Sequence, residues 1–208
     1  VIDPIKLVNK YGLDQVRYFL MREVPFGNDG DFSNQAMINR MNSELANDYG
    51  NLVQRVLSMI AKNCSGVVPE AERMLDVDET LFSATQKLLT SSREFMDKQA
   101  FHIVLEGIWV IIRSANVYVD AQAPWKLAKE DKGRMNTVLY VLAESIRRLA
   151  LLTQPFMPDA SANILDQLAI AKGSRTFEYF GKDHALLPGT VLPNPQGVFP
   201  RYREEQDL

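Results

Sequence analysis

The chain has 208 residues, 46% of them apolar and 24% charged, and a net charge of −3 at neutral pH. A chain of this length can bury one or two real cores, and the slightly acidic balance excludes a nonspecific nucleic-acid coat while leaving room for a local site. The single cysteine, Cys64, excludes an internal disulfide framework and a Cys-rich zinc site, so reducing, intracellular conditions are expected, in the cytoplasm or an organellar matrix.

The opening "VIDPIKL" has neither an initiating methionine nor a signal-peptide pattern, and a piece of a longer protein is the expectation. Asp3 suits the N-cap of a short helix that has Pro4 first and Gly12 as its stop. "LDQVRYFLMRE" follows, with Val16, Phe19 and Leu20 on one face, and it ends before Pro25. "VPFGNDGDFS" reads as a turn-rich loop. Ser33 is placed to cap a long helix reaching about Asn63. Its apolar stripe runs Met37, Met41, Leu45, Leu52, Val56 and Ile60, in steps of three or four except for one longer step across Tyr49.

Gly66 to Glu79 reads as a linker, and a helix from Glu79 to Gln99 carries Phe82, Leu88, Leu89, Phe95 and Met96. The next, Ala100 to about Ala121, carries Leu105, Ile108, Ile112, Ala115 and Val119. It contains "IVLEGIWVII", which Glu106 interrupts and which reads as core helix rather than membrane span. Arg134 to Thr153 follows with Val138, Leu142, Ile146 and Leu149; Pro155 and Pro158 break it, and a last helix runs from Asp159 to about Ala171. From Lys172 glycine and proline recur, and an extended tail packed on the bundle is expected. The fold class is all-α: an antiparallel helix bundle over 33–171, preceded by a connecting segment (1–32) and followed by the tail (172–208).

Two stretches invite a functional reading. Asn47, Asn51 and Arg55 form a polar stripe in steps of four, about 60–140° round from Leu52 at about 100° per residue. It is either a solvated face or a recognition edge that sets amide donors and acceptors beside a donor-only guanidinium. In "DAQAPWKLAKEDK", Pro124 suits the first turn of a short helix, and Trp125 either plugs the edge of the core or offers its face to another π-system. Lys126, Lys129, Lys132 and Arg134 around it are what a stacking platform beside a phosphate track needs.

Other chemistry finds no support. Counted from Asp29, "NDGDFS" would put Asn34 and Arg40 where a calcium loop needs glycine and glutamate. His102 and His184 lack partners at metal-ligand spacing. No nucleophile signature or glycine-rich phosphate loop is present, so neither a catalytic residue nor a cofactor is expected in this chain.

At these residues the sequence resembles the methionyl-tRNA synthetases, a family of class I aminoacyl-tRNA synthetases. "DPIKLVNKYGLDQVRYFLMREVPFGNDGDFS" is similar to the segment after that family's KMSKS loop. "NRMNSELANDYGNLVQR" and "DAQAPWKLAK" resemble its anticodon-binding helices, and "VFPR" (Val198 to Arg201) resembles the end of its shorter members. The resemblance implies that Trp125 stacks on the first anticodon base while Asn51 and Arg55 read its edge. Asn47 and Pro124 join the same site, and Lys126 and Lys129 meet phosphate. It implies a CAU anticodon stem-loop as partner. The catalytic domain with its ATP and Mg is expected elsewhere in the parent protein, so that this chain alone is inactive. A monomer with no membrane contact is expected. The alternatives are the bundle of a leucyl, valyl, isoleucyl or cysteinyl synthetase, or a helical protein-interaction module.

Overall fold

A computed structural model of the chain describes residues 3–28 and 32–203; the part of "NDGDFS" at 29–31 lies outside these. The first helix, α1 (Pro4–Tyr11), starts where the Asp3 side chain accepts the Ile5 N–H at 2.9 Å. It stops at Gly12, whose φ of 95° a side chain would strain. Helix α2 (Leu13–Glu23) buries Val16 and Phe19 as expected. Leu20, however, is half exposed, and Tyr18 takes the inward position because its hydroxyl finds a buried carboxylate, Glu44, at 2.5 Å. Two side chains of α2 reach the far corner of the bundle: Arg17 donates to the backbone oxygens of Pro155 and Phe156, and Asp14 accepts the Ala160 N–H at 2.6 Å.

The long rod begins at Ser33, whose hydroxyl accepts the Ala36 N–H, and runs through α3 (Asn34–Arg40), a π-helical stretch (Met41–Gly50) and α4 (Asn51–Asn63). All six stripe residues from Met37 to Ile60 are buried. The long step is not a gap. Tyr49 fills it with no exposed surface, four residues after Leu45 and three before Leu52 on the same stripe.

Helix α5 (Asp76–Asp97) starts three residues earlier than its apolar pattern indicates, because the Asp78 carboxylate accepts the Leu75 N–H and closes the first turn. Leu81 and Leu88 face the core, with Phe82, Leu89, Phe95 and Met96 only partly covered. Helix α6 (Phe101–Gln122) is long and apolar enough to cross a membrane by length and composition. Here its apolar run lines the core, with Leu105, Ile108, Trp109, Ile112 and Ala115 at 0% exposure. Helix α7 (Pro124–Glu130) is short, and α8 (Lys132–Thr153) is capped by Asp131 and buried along most of its length. Helix α9 (Pro158–Gln167) ends four residues before the expected Ala171, where Leu168 caps it and Ala169 turns left-handed at φ 55°.

The tail crosses the bundle in short 3-10 turns and buries Phe180, Leu186, Leu192 and Phe199; a lone bridge pairs Val67 with Val191. Its anchor is ionic. Glu144 of α8, fully buried, accepts from Arg147, Arg148 and the Leu186 N–H, while Arg147 donates to the Tyr179 and Phe180 oxygens. This all-α bundle sets α4, the end of α6 and α7 side by side on one edge.

Candidate nucleic-acid interface

The edge is made by a sharp corner. After α6 the chain turns at Ala123, held left-handed at φ 44° and ψ 57°, and α7 starts with Pro124 at once. A non-glycine residue in that region costs about 1–2 kcal/mol. The strain is offset by the Ala123 N–H closing on the Val119 oxygen at 2.9 Å and the Lys126 N–H on the Ala123 oxygen at 2.8 Å. Pro124 is buried in the corner, and Trp125 stands out from it with 43% of its surface exposed. The indole is therefore not a core plug.

Arg55, sixty-five residues before Asp120 in sequence, meets it across the edge. Its Nη2 lies 2.7 Å from the Asp120 carboxylate, and its guanidinium carbon stands 5.6 Å from the centre of the Trp125 ring. The side chains of the pair are 30% and 64% exposed. An ion pair so wet contributes about 0–1 kcal/mol, so it orients the guanidinium without committing it. An incoming acceptor of comparable strength can share or displace the carboxylate.

Asn51 lies one turn before Arg55 on the same face and is exposed; Asn47 lies one turn further back and is also exposed. These two asparagines, with Gly50 and Gln54 of the rod and Phe199 and Arg201 of the tail, line a shallow hollow of about 290 Å³. Arg55 and Trp125 do not line it; they form the adjoining part of the edge. At Gly50 a Cβ would be tight against the Leu45 oxygen of the rod itself, at 3.1 Å, and would just touch Phe199 of the tail, at 3.4 Å. Arg201 then donates to the Asn47 side-chain oxygen.

Lys126, Lys129 and Lys132 are exposed on and after α7, and none of them forms an ion pair among the described residues. Arg134 departs from the expected basic track. It turns inward to hold Asp78 at 2.5 and 2.7 Å and Gln122 at 2.6 Å. Tyr118 adds its hydroxyl to the same carboxylate at 2.6 Å, which ties the starts of α5 and α8 to the end of α6 directly beneath the corner. Burial alone would raise the Asp78 carboxyl, but the hydrogen bonds from Arg134, the Leu75 N–H and Tyr118 outweigh it and hold the group below the usual carboxylate range.

Asp120 and Arg201 are two charged members of this edge that sequence reasoning passed over. Asp120 opens the quoted tryptophan stretch, and Arg201 closes the "VFPR" ending, so both stood inside segments already singled out.

An aromatic face beside a guanidinium, two amides and unpaired lysines can stack an unpaired base, read its edge and follow a phosphate chain. Its helical fold places this bundle with the anticodon-binding domains of the class I aminoacyl-tRNA synthetases. Two family models divide the chain: "tRNA synthetases class I (M)" over residues 1–57 and "Anticodon binding domain of methionyl tRNA ligase" over residues 68–207. The chain belongs to the methionyl-tRNA ligase family and contains its anticodon-binding domain. It is 51% identical over 205 residues to the methionine–tRNA ligase of Mesorhizobium japonicum and 49% identical over 207 residues to that of Brucella suis. The match takes in 99% and 100% of this chain and 40% of each relative, so the chain spans about two fifths of their length. The crystal structure of Mycobacterium tuberculosis methionyl-tRNA synthetase in its apo form superposes with a TM-score of 0.96 at 47% identity, covering 99% of this chain and 42% of that one. The same enzyme in complex with methionyl-adenylate gives a TM-score of 0.93 at 48% identity, covering 96% and 40%.

Proposed function

We propose that this chain recognises the CAU anticodon stem-loop of methionine tRNA, as part of a ligase that uses ATP and Mg to attach methionine to that tRNA. Activation and transfer belong to the portion of the ligase outside this chain, and the chain alone is inactive. Trp125 stacks on the first anticodon base, a contact worth about 1–3 kcal/mol with little base preference. Arg55 donates to the O2 and N3 acceptors of cytosine; uracil, whose N3 carries hydrogen, suits it less. An Asn51 carbonyl accepts from the cytosine N4 amine, with Asn47 beside it in the hollow. Pro124 fixes the stacking platform, while Lys126 and Lys129 meet backbone phosphates. The protein works as a monomer in the cytoplasm or an organellar matrix.

The observation that carries this reading is the Arg55 guanidinium poised between the exposed Trp125 ring and a displaceable Asp120. A helical protein-interaction module would place an apolar groove here, and this edge is polar. Equilibrium binding of anticodon hairpins tests the reading: the chain should prefer a CAU loop over an unrelated loop on the same stem. Equal affinity for both loops would overturn it.

A further inference from the structure

The rod is α-helical at both ends and π-helical for ten residues between, from Met41 to Gly50. π-Helical turns usually occur singly and concentrate at functional sites, so a run this long needs something to hold it. The need is visible in the spacing. Met41, Leu45 and Tyr49, all within the stretch, are buried at successive steps of four. In an α-helix each such step overshoots a full turn by about 40°. The wider π turns absorb the overshoot, and they also set the azimuth of Asn47 and Asn51.

The holding groups come from α6. Trp109, with no exposed surface, donates its indole Nε1–H to the backbone oxygen of Glu44 at 3.3 Å. Asn116, two turns on, donates to the backbone oxygen of Asp48 at 2.9 Å. The Asn51 N–H reaches back to the Ala46 oxygen and completes the last wide turn. The Trp109 ring lies between Tyr18 at 4.6 Å and Tyr49 at 5.9 Å. The Glu44 side chain is fixed in turn by Tyr18 at 2.5 Å, Arg40 at 2.8 Å and Arg113 at 3.1 Å. The π stretch is thus gripped through its backbone on the core side while its outer side carries Asn47 and leads directly into Asn51.

We propose that this π-helical stretch sets base specificity at the edge and that Trp109, which lies beneath it and touches no RNA, is its positioning residue. The proposal rests on the anticodon reading. By holding the Glu44 oxygen, Trp109 keeps the wide turns open and so fixes where Asn47 and Asn51 stand relative to Arg55 and Trp125.

Trp109→Phe keeps a ring between Tyr18 and Tyr49 and removes the N–H. Two measurements on the chain follow: amide hydrogen exchange, and affinity for CAU and UAU hairpins. Exchange over residues 41–51 should quicken about tenfold, the effect of losing one buried hydrogen bond, with α8 unchanged. The CAU-to-UAU affinity ratio should fall at least about threefold, because stacking on Trp125 still supports either base. Asn116→Ala, at a less buried position, should act in the same direction and serves if Trp109→Phe fails to fold. Unchanged exchange over the stretch, or a loosened stretch with the affinity ratio intact, would overturn the proposal. Wild-type chain that binds both hairpins equally overturns the anticodon reading and the specificity role with it. The exchange arm contains no RNA and then decides separately whether Trp109 holds the stretch.

Discussion

Arg55 and Trp125 touch the same space with different chemistry, so their removal should leave different traces. Trp125→Ala deletes a stacking face that any base can use; affinity for CAU and UAU hairpins should fall together, by about 1–3 kcal/mol. Arg55→Ala deletes donors aimed at cytosine acceptors and leaves Asp120 without its partner. It should compress the difference between the two hairpins by about 1–3 kcal/mol as well as weaken the CAU complex. Asp78 offers a test that needs no RNA. Its folded pKa is depressed, so its contribution to stability is present above the unfolded value of about 4 and is lost as pH falls through the folded one. Thermal melts between pH 7 and pH 3 should show the wild type losing stability steeply below about pH 4, and Asp78→Asn starting lower and falling less.

At the scale of the elements, two helix starts were legible because side chains close in sequence make them: Asp3 and Ser33 accept from an N–H two and three residues on, whereas the Asp131 cap, which starts α8 two residues before the expected Arg134, was passed over. Most of what else escaped was set by distant partners. The first turn of α5 is fixed by Asp78, but Asp78 is worth burying only because Arg134 arrives from 56 residues away. The same pairing removes Arg134 from the basic track it appears to join in sequence. Helix α9 has no capping side chain of its own and is capped from α2 by Asp14, 146 residues earlier. Tyr49 escaped for a different reason: it stands four residues after Leu45 and three before Leu52, on the helical stripe, and was passed over as a half-polar residue. The candidate residues Asn47, Asn51, Arg55 and Trp125 stood out in sequence as a stripe and a tryptophan, but the approach of Trp125 to Arg55 depends on the left-handed Ala123. Ala123→Gly relieves that strain while freeing the unfolded chain, two effects that nearly cancel, so the stability should change by less than about 1 kcal/mol. Hairpin affinity should nevertheless fall, because the corner holding Trp125 is looser; parallel melts and binding titrations check both halves.

Across the whole molecule, two surfaces differ in kind. The edge of α4 and α7 is polar around one indole, whereas α1, α2 and the loop after them leave Ile5, Leu13, Leu20 and Phe26 between 46% and 67% exposed. Such a patch calls for a cover, and the remainder of the ligase is the cover expected here. Leu20→Glu should leave melting of this chain within about 0.5 kcal/mol of wild type, yet lower aminoacylation by the full-length ligase. The central claim is that Arg55 reads the first anticodon base while Trp125 only holds it. The most direct test is a titration of wild type, Trp125→Ala and Arg55→Ala with CAU and UAU hairpins under one salt condition. The account predicts that Trp125→Ala weakens both hairpins by a similar factor and that Arg55→Ala collapses the difference between them. Arg55→Ala weakening both hairpins equally, with the preference for CAU intact, would contradict it and make Arg55 a phosphate anchor.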